Sequence, residues 1–217
     1  MHSPSHLHTQ NRYTGFTLVE LLVVIAIIAV LAALTFSVIN RAILKGQQAS
    51  CLNLMRNVEV GMESYLIEHN RPPLPREKIQ GGHDTLFGDS GGKYSTAPIV
   101  AVLAGGEAMT WIEDTGDESD ISYLNPNGVQ YLELTLANKG EAGLREDGKI
   151  YDPWARELMI GVNARLNGDP LTTYGLAEWQ EIKPRDQDFV MWSYGADGVK
   201  GKGESESFSG SDDVKSF

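Results

Sequence analysis

Cysteine is almost absent from this 217-residue chain: Cys51 stands alone, so no disulfide can close within it. Histidine is scarce too, with five residues, and three of them (His2, His6, His8) crowd the amino terminus. The remaining His69 and His83 with one thiol cannot compose a strong zinc site. Basic residues are few, 18 Lys and Arg against 29 Asp and Glu, for a net charge of −11. A surface that acidic repels nucleic acid and offers no basic stripe for phosphate contacts, so no nucleic-acid partner is expected. There is no internal repeat and no sign of a second globular domain.

What the chain does have is one long apolar run. Residues 15–34 read GFTLVELLVVIAIIAVLAAL, a glycine followed by hydrophobic side chains broken by a single acid, Glu20. From Phe16 to Ile39 no other charge occurs. These 24 residues make a helix of roughly 36 Å at about 1.5 Å per residue, enough to span a bilayer. A charge at the centre of such a helix costs about 3 kcal/mol, but Glu20 lies near one membrane face, where the cost is smaller. An acid kept there is by default a functional residue with a partner to be found. A removed secretory signal peptide fits poorly. It would need a basic leader, an apolar core of about 7–15 residues and a small-residue cleavage site. Here the leader carries only Arg12, the apolar run is longer, and helical patterning continues through Arg41.

The string Gly15-Phe16-Thr17-Leu18-Val19-Glu20 resembles the prepilin processing motif of type IV pilins and type II secretion pseudopilins. The resemblance implies that a membrane peptidase, the prepilin peptidase, cuts after Gly15 and methylates the new amino-terminal Phe16. Glu20 then becomes the fifth residue of the mature chain, whose balance is 17 basic to 29 acidic residues. Cleavage creates a positive amine at Phe16. Glu20 of a neighbouring subunit is suited to pair with it in an apolar filament core, where an unpaired charge is costly. Charge alone does not orient the span, since Arg12 stands on one side and Arg41 and Lys45 on the other. The resemblance places the leader in the cytoplasm, the span in the inner membrane and the acidic domain in the periplasm. It also implies self-assembly into a filament, contact with an inner-membrane assembly platform, and minor pseudopilins as partners. Many pilins staple their carboxyl-terminal region with a disulfide; with Cys51 alone, this chain must hold that region otherwise.

Past the span, apolar residues recur at Ile39, Ala42, Ile43, Ala49, Leu52, Met55, Val58, Met62, Tyr65 and Leu66, in the three- and four-residue steps of an amphipathic helix. Gln47, Gln48, Asn53, Arg56, Asn57 and Glu63 fill the other face, and Gly46 and Gly61 weaken the stretch by about 1 kcal/mol each. The helix should stop at Asn70-Arg71, ahead of Pro72 and Pro73. The pattern thus predicts a leader (1–15), a transmembrane helix (16–39), an amphipathic stem (40–71) and a globular domain (72–217) closing with a loop at 186–217. Within that domain Ala97–Leu103 reads as a short helix starting beside Pro98. Trp111–Asp120, with five acids and no base, reads as a solvated loop. Asn125-Pro126-Asn127-Gly128 is a turn leading into Val129–Leu136, and Leu158–Val162 and Phe189–Tyr194 are candidate strands. The expected class is α+β: a long amino-terminal helix packed on a small antiparallel sheet.

A second resemblance lies towards the carboxyl end. Asp152-Pro153-Trp154 is similar to the DPW segment of major pseudopilins, and Ser193-Tyr194-Gly195-Ala196-Asp197-Gly198 to their S-x-G-A-D-G segment. The ending Ser211-Asp212-Asp213-Val214-Lys215-Ser216-Phe217 resembles their D-D-I-x-x-W or A-D-I-x-x-W close, with Phe217 for the usual tryptophan and an insertion at Ser205–Ser211. The resemblance implies a structural Ca²⁺ site with Asp197 and one or both of Asp212 and Asp213 as side-chain ligands, and the carbonyls of Tyr194 and Val199 as weaker candidates. Calcium takes six to eight oxygens from flexible loops, and residues 186–217 hold seven acids against three lysines. The alternative for this stretch is a disordered acidic tail.

Some signals are decoys. Gly88-Asp89-Ser90-Gly91-Gly92 matches a serine-protease nucleophile string, but a triad needs a base and a buried acid to orient it, and nothing nominates them. Tyr94, Trp111, Tyr123, Tyr131, Trp154, Trp179 and Trp192 fit no cofactor spacing and read as core or subunit contacts. The chain is therefore expected to be a non-enzymatic structural subunit of a type II secretion pseudopilus. A type IV pilin for adhesion, DNA uptake or motility is the alternative, and a membrane-tethered hydrolase using Ser90 a remote one.

Overall fold

A computed structural model describes residues 15–74, 85–88, 94–105, 123–163, 188–201, 208 and 210–216. Its dominant element is one continuous helix, α1, over Leu18–His69. By internal contacts the chain divides into residues 1–43 and 44–217, which are described separately.

The first unit is helix from Leu18 onward, and its apolar side chains, among them Leu22, Ile25, Ile28 and Leu31, are exposed. The helix is long and apolar enough to cross a membrane. Thr17 and Glu20 start it as a reciprocal cap. Thr17 Oγ1 accepts from Glu20 N at 3.2 Å, and Glu20 Oε2 accepts from Thr17 N at 2.8 Å and Thr17 Oγ1 at 2.7 Å. This T-x-x-E box satisfies amides that a helix start otherwise leaves open.

The second unit is built on the remainder of α1. Cys51, Leu54, Met55, Val58, Met62 and Tyr65 are buried along one stripe. The stripe is rotated slightly from the expected one: Ala49 is exposed and Leu52 and Leu66 are half-buried, while Cys51 and Leu54 take core positions. Gly61 lies on the stripe because a Cβ there would sit 3.0 Å from the Tyr131 carbonyl oxygen and 3.3 Å from Leu132 Cβ. The helix ends where expected. Asn70 adopts φ +51° with its amide on the Leu66 carbonyl at 2.8 Å, and two prolines follow.

Against this stem packs a four-stranded antiparallel sheet of β1 (Thr85–Phe87), β4 (Met159–Val162), β5 (Phe189–Ser193) and β6 (Val214–Lys215), in the order β1-β4-β5-β6. Gly161 faces Leu86 and Val190, and Ser193 faces Val214. The sheet is buried on both faces. Ile160, Val162, Phe189 and Met191 join the stem core, whereas Met159, Val190 and Trp192 form a second cluster with Leu86, Tyr194 and Phe208. A separate two-stranded ribbon joins β2 (Gly143–Leu144) to β3 (Ile150–Tyr151). The short helix α2 runs over Ala97–Ala104, with its residues Ala97–Leu103 buried. The α+β expectation therefore holds.

Val129–Leu136 is not a ladder strand. Its Tyr131 and Leu132 amides both donate to the Leu103 carbonyl at the end of α2, and only Leu136 makes an isolated bridge, to Leu144. The turn before it is held by Asn125, whose Oδ1 accepts from Val129 N and whose Nδ2 donates to the Val102 and Val129 carbonyls. The expected loop at Trp111–Asp120 lies outside the described residues.

Candidate functional sites

The amino-terminal site consists of Gly15, Phe16, Thr17 and Glu20. Gly15 and Phe16 precede the helix and are exposed, Phe16 to 76%. Glu20 is exposed too, and its partners here are the amide and hydroxyl of Thr17. Thr17 went unassigned in the sequence, although threonine three residues before glutamate is a readable capping signal.

The second candidate is the carboxyl-terminal loop, and it is built around Asp152. This carboxylate is buried. Its Oδ1 accepts from the amides of Trp154 and Arg156, both at 2.9 Å, and its Oδ2 accepts from Ser193 Oγ at 2.6 Å. Asp152 N donates in turn to the Arg156 carbonyl at 2.8 Å. The turn so closed carries Ala155 at φ +69°, a left-handed conformation costing an ordinary residue about 1–2 kcal/mol. Ser193 Oγ also accepts from Gly195 N at 3.2 Å, so the segments 152–154 and 193–198 meet at a single buried hydroxyl. Cys51 belongs to the same neighbourhood. Burial, then the Asp152 charge, push its thiol up to about 12, opposed by a hydrogen bond with Ser193. A thiol that stays protonated at neutral pH is no nucleophile.

Of the candidate ligands, Asp197, Asp212 and Asp213 are brought to one loop. Asp212 Oδ2 accepts from Ala196 N at 2.6 Å and Asp197 N at 3.2 Å, and its carbonyl accepts from Gln48 Nε2 of α1 at 3.1 Å. Asp197 Oδ1 accepts from Val199 N at 2.8 Å, and the Tyr194 carbonyl from Gly198 N at 3.1 Å. Asp213 Oδ2 accepts from Gly201 N and Ser211 Oγ, whereas its Oδ1 is buried with no hydrogen-bond partner. Burial, and behind it the charges of Asp212 and Asp197, raise the Asp213 carboxyl above its ordinary range, against hydrogen bonds from Ser211 and Gly201 that lower it. An orphaned carboxylate oxygen among like charges suits a cation. Among the described residues, however, no three His, Cys, Asp or Glu side chains stand close enough to hold a metal as they are. Among the described residues the Val199 carbonyl accepts no hydrogen bond.

The decoys resolve in part. Asp89 to Gly92 and His83 lie outside the described residues, as do Trp111, Trp179 and Phe217. His69 Nε2 lies 2.9 Å from Tyr131 Oη, which donates to Glu68 Oε2 at 2.7 Å, and its ring stacks on Tyr65 at 4.3 Å. Trp192 is fully buried, and Tyr94 is half-buried with its ring 5.8 Å from that of Phe87.

A family model described as the prokaryotic N-terminal methylation motif matches residues 10–36. The chain is 30% identical over 129 residues to fimbrial protein Q of Moraxella bovis, covering 59% of this chain and 72% of that protein. No solved structure matches. With an apolar amino-terminal helix, the methylation motif at its head and a relative matched over most of its length, the chain belongs to the type IV pilin-like proteins.

Proposed function

We propose that this chain is a non-catalytic structural subunit of a periplasmic pseudopilus in type II protein secretion. In this reading the prepilin peptidase removes residues 1–15 and methylates Phe16. The apolar half of α1 then anchors the subunit in the inner membrane, with the acidic domain in the periplasm. Subunits leave the membrane through the assembly platform and polymerise through their apolar helices, with minor pseudopilins as further partners. The observation that carries the secretion assignment is the bond from Ser193 Oγ to Asp152 Oδ2, which knits the two pseudopilin-like segments into one turn.

Calcium belongs to the proposal as a structural ion. Asp213, through its orphaned Oδ1, together with Asp197 and Asp212, are the side chains to hold it, and Tyr194 and Val199 would add carbonyls. A divalent cation supplies charge neutralisation there, relieving repulsion among the three carboxylates.

The fimbrial relative favours a second reading, a type IV pilin assembled into a surface fibre. Deleting the gene in its host separates the two. Exported proteins trapped in the periplasm, with surface fibres intact, support the secretion pseudopilus. Lost fibres with export intact overturn it in favour of the pilin.

A further inference from the structure

Arg156 directs its guanidinium at main-chain carbonyls. Nη1 donates to the Gly195 oxygen at 2.5 Å and Nη2 to the Ala196 oxygen at 3.3 Å. Among the described residues it makes no ion pair; the one described joins Lys149 to Glu157. The amides on the far side of those same carbonyls are the ones that Asp212 binds. Gly195 O and Ala196 N belong to one peptide unit, and Ala196 O and Asp197 N to the next. The peptide units among the described residues are trans, and in a trans unit C=O and N–H point in opposite directions. Two consecutive peptide units are therefore gripped at their oxygens by a cation and at their nitrogens by an anion, each dipole aligned with the field between them.

The surroundings are shaped for this grip. Gly198 has φ +74°, and a Cβ there would collide with the Arg156 guanidinium. Gly195 has φ +62°, and a Cβ there would come within 2.7 Å of Asp212 Oδ2. The backbone of Arg156 is fixed at both ends, its amide on Asp152 Oδ1 and its carbonyl on Asp152 N. It follows directly on Ala155, whose left-handed conformation sets the direction in which the chain leaves the turn. The planar fork of arginine suits a pair of neighbouring carbonyls in a way a lysine ammonium does not.

We infer that Arg156 and Asp212 form a peptide-bridged ion pair, in which Arg156 is the resident cation of the 195–198 turn and holds it in shape with no metal bound. Arg156 is thus a positioning residue: it presents Asp197 and the Tyr194 carbonyl without being a ligand. The inference concerns the same loop as the calcium reading and does not depend on it.

Amide hydrogen exchange on the full chain in detergent micelles, read at Gly198 and Val199, tests the pair. Neither amide is bound by either partner; they donate to the Tyr194 carbonyl and to Asp197 Oδ1. In chelator, R156Q and D212N should each speed exchange there tenfold or more, with Val190 in β5 unchanged. The double variant should be little faster than either single one, and R156K should recover part of the protection. Fold-changes that multiply in the double variant, an equal change at Val190, or R156K matching R156Q would each overturn the pair. Added calcium separates the two ideas. If millimolar calcium slows exchange in neither the parent nor R156Q, the calcium reading fails, while the chelator result still decides the Arg156–Asp212 pair.

Discussion

Glu157 Oε1 lies 2.6 Å from the backbone nitrogen of Thr96, sixty-one positions earlier in the chain. The same oxygen accepts from Thr96 Oγ1 at 2.8 Å and Ser95 Oγ at 3.1 Å, and Thr96 Oγ1 in turn accepts from Ile150 N. Thr96 precedes α2 without capping it through its own side chain. A buried carboxylate delivered from beside β4 does that work, with its negative charge at the positive end of the helix.

Glu157→Ala should therefore destabilise the protein by about 2–4 kcal/mol, because it strands buried donors that had a charged acceptor. Glu157→Gln keeps an acceptor oxygen and should cost clearly less. Denaturation midpoints of the two variants against the parent check the order. Equal midpoints for Glu157→Ala and the parent would show that Glu157 does not stabilise α2.

Processing should remove Met1 to Gly15. Intact-mass measurement of assembled protein extracted from membranes should give a chain starting at Phe16 and heavier by one methyl group. A retained Met1 in the assembled form would exclude the assignment of Gly15-Phe16.

Replacing Glu20 with Val should leave membrane insertion intact, since the span becomes more apolar. Assembly should fail, because the amine of a neighbouring Phe16 loses its partner where charge is poorly solvated. Crosslinking of Glu20→Val subunits into filaments as efficiently as the parent would refute the pairing. The Thr17–Glu20 cap adds a control: Thr17→Ala should weaken the helix start by about 1 kcal/mol while leaving the acid available to a neighbour.

The raised carboxyl of Asp213 gives a pH dependence with a definite sign. A folded-state value above the unfolded one means that the folded protein holds the proton more tightly. The stability from this group is present in acid and is lost as pH rises through the raised value. At neutral pH in chelator, Asp213→Asn should melt at or above the parent, with the difference shrinking as pH falls to about 4. In calcium the order should reverse, since the variant has lost a ligand charge. A parent that outmelts Asp213→Asn in chelator at neutral pH would contradict this account.

How far the molecule could be read from its sequence depends on the range of each interaction. The stem reads cleanly: apolar steps and Pro72-Pro73 predict a helix over 16–70, and α1 spans Leu18–His69. The strands at 159–162 and 189–193 and the helix after Thr96 are likewise local patterns of apolar content. What escaped was set by partners distant in sequence. Cys51 and Leu54 take core positions and Ala49 does not, a choice made by what packs against the helix, which stem periodicity does not report. Val129–Leu136 has strand composition, but it lies along the end of α2, where Leu103 takes up its amides. In the candidate loop the three aspartates were legible as ligand chemistry, whereas Arg156, Ser193 and Gln48 were not. Their roles exist only once residues 152–156, α1 and β5 are brought together.

Gln48 gives the domain a mechanical character. Its side-chain amide holds the Asp212 carbonyl, two residues before β6, so the start of the stem in this unit is fastened to the segment that leads into the edge strand of the sheet. An early and a late described segment of this unit are therefore tied to each other directly. From Asp212 the chain runs into β6, which is joined to β5 through the Ser193–Val214 and Trp192–Lys215 pairs. A tail pinned in this way resists being peeled from its free end. A fibre under axial strain would have to shear that short ladder before the chain could unravel.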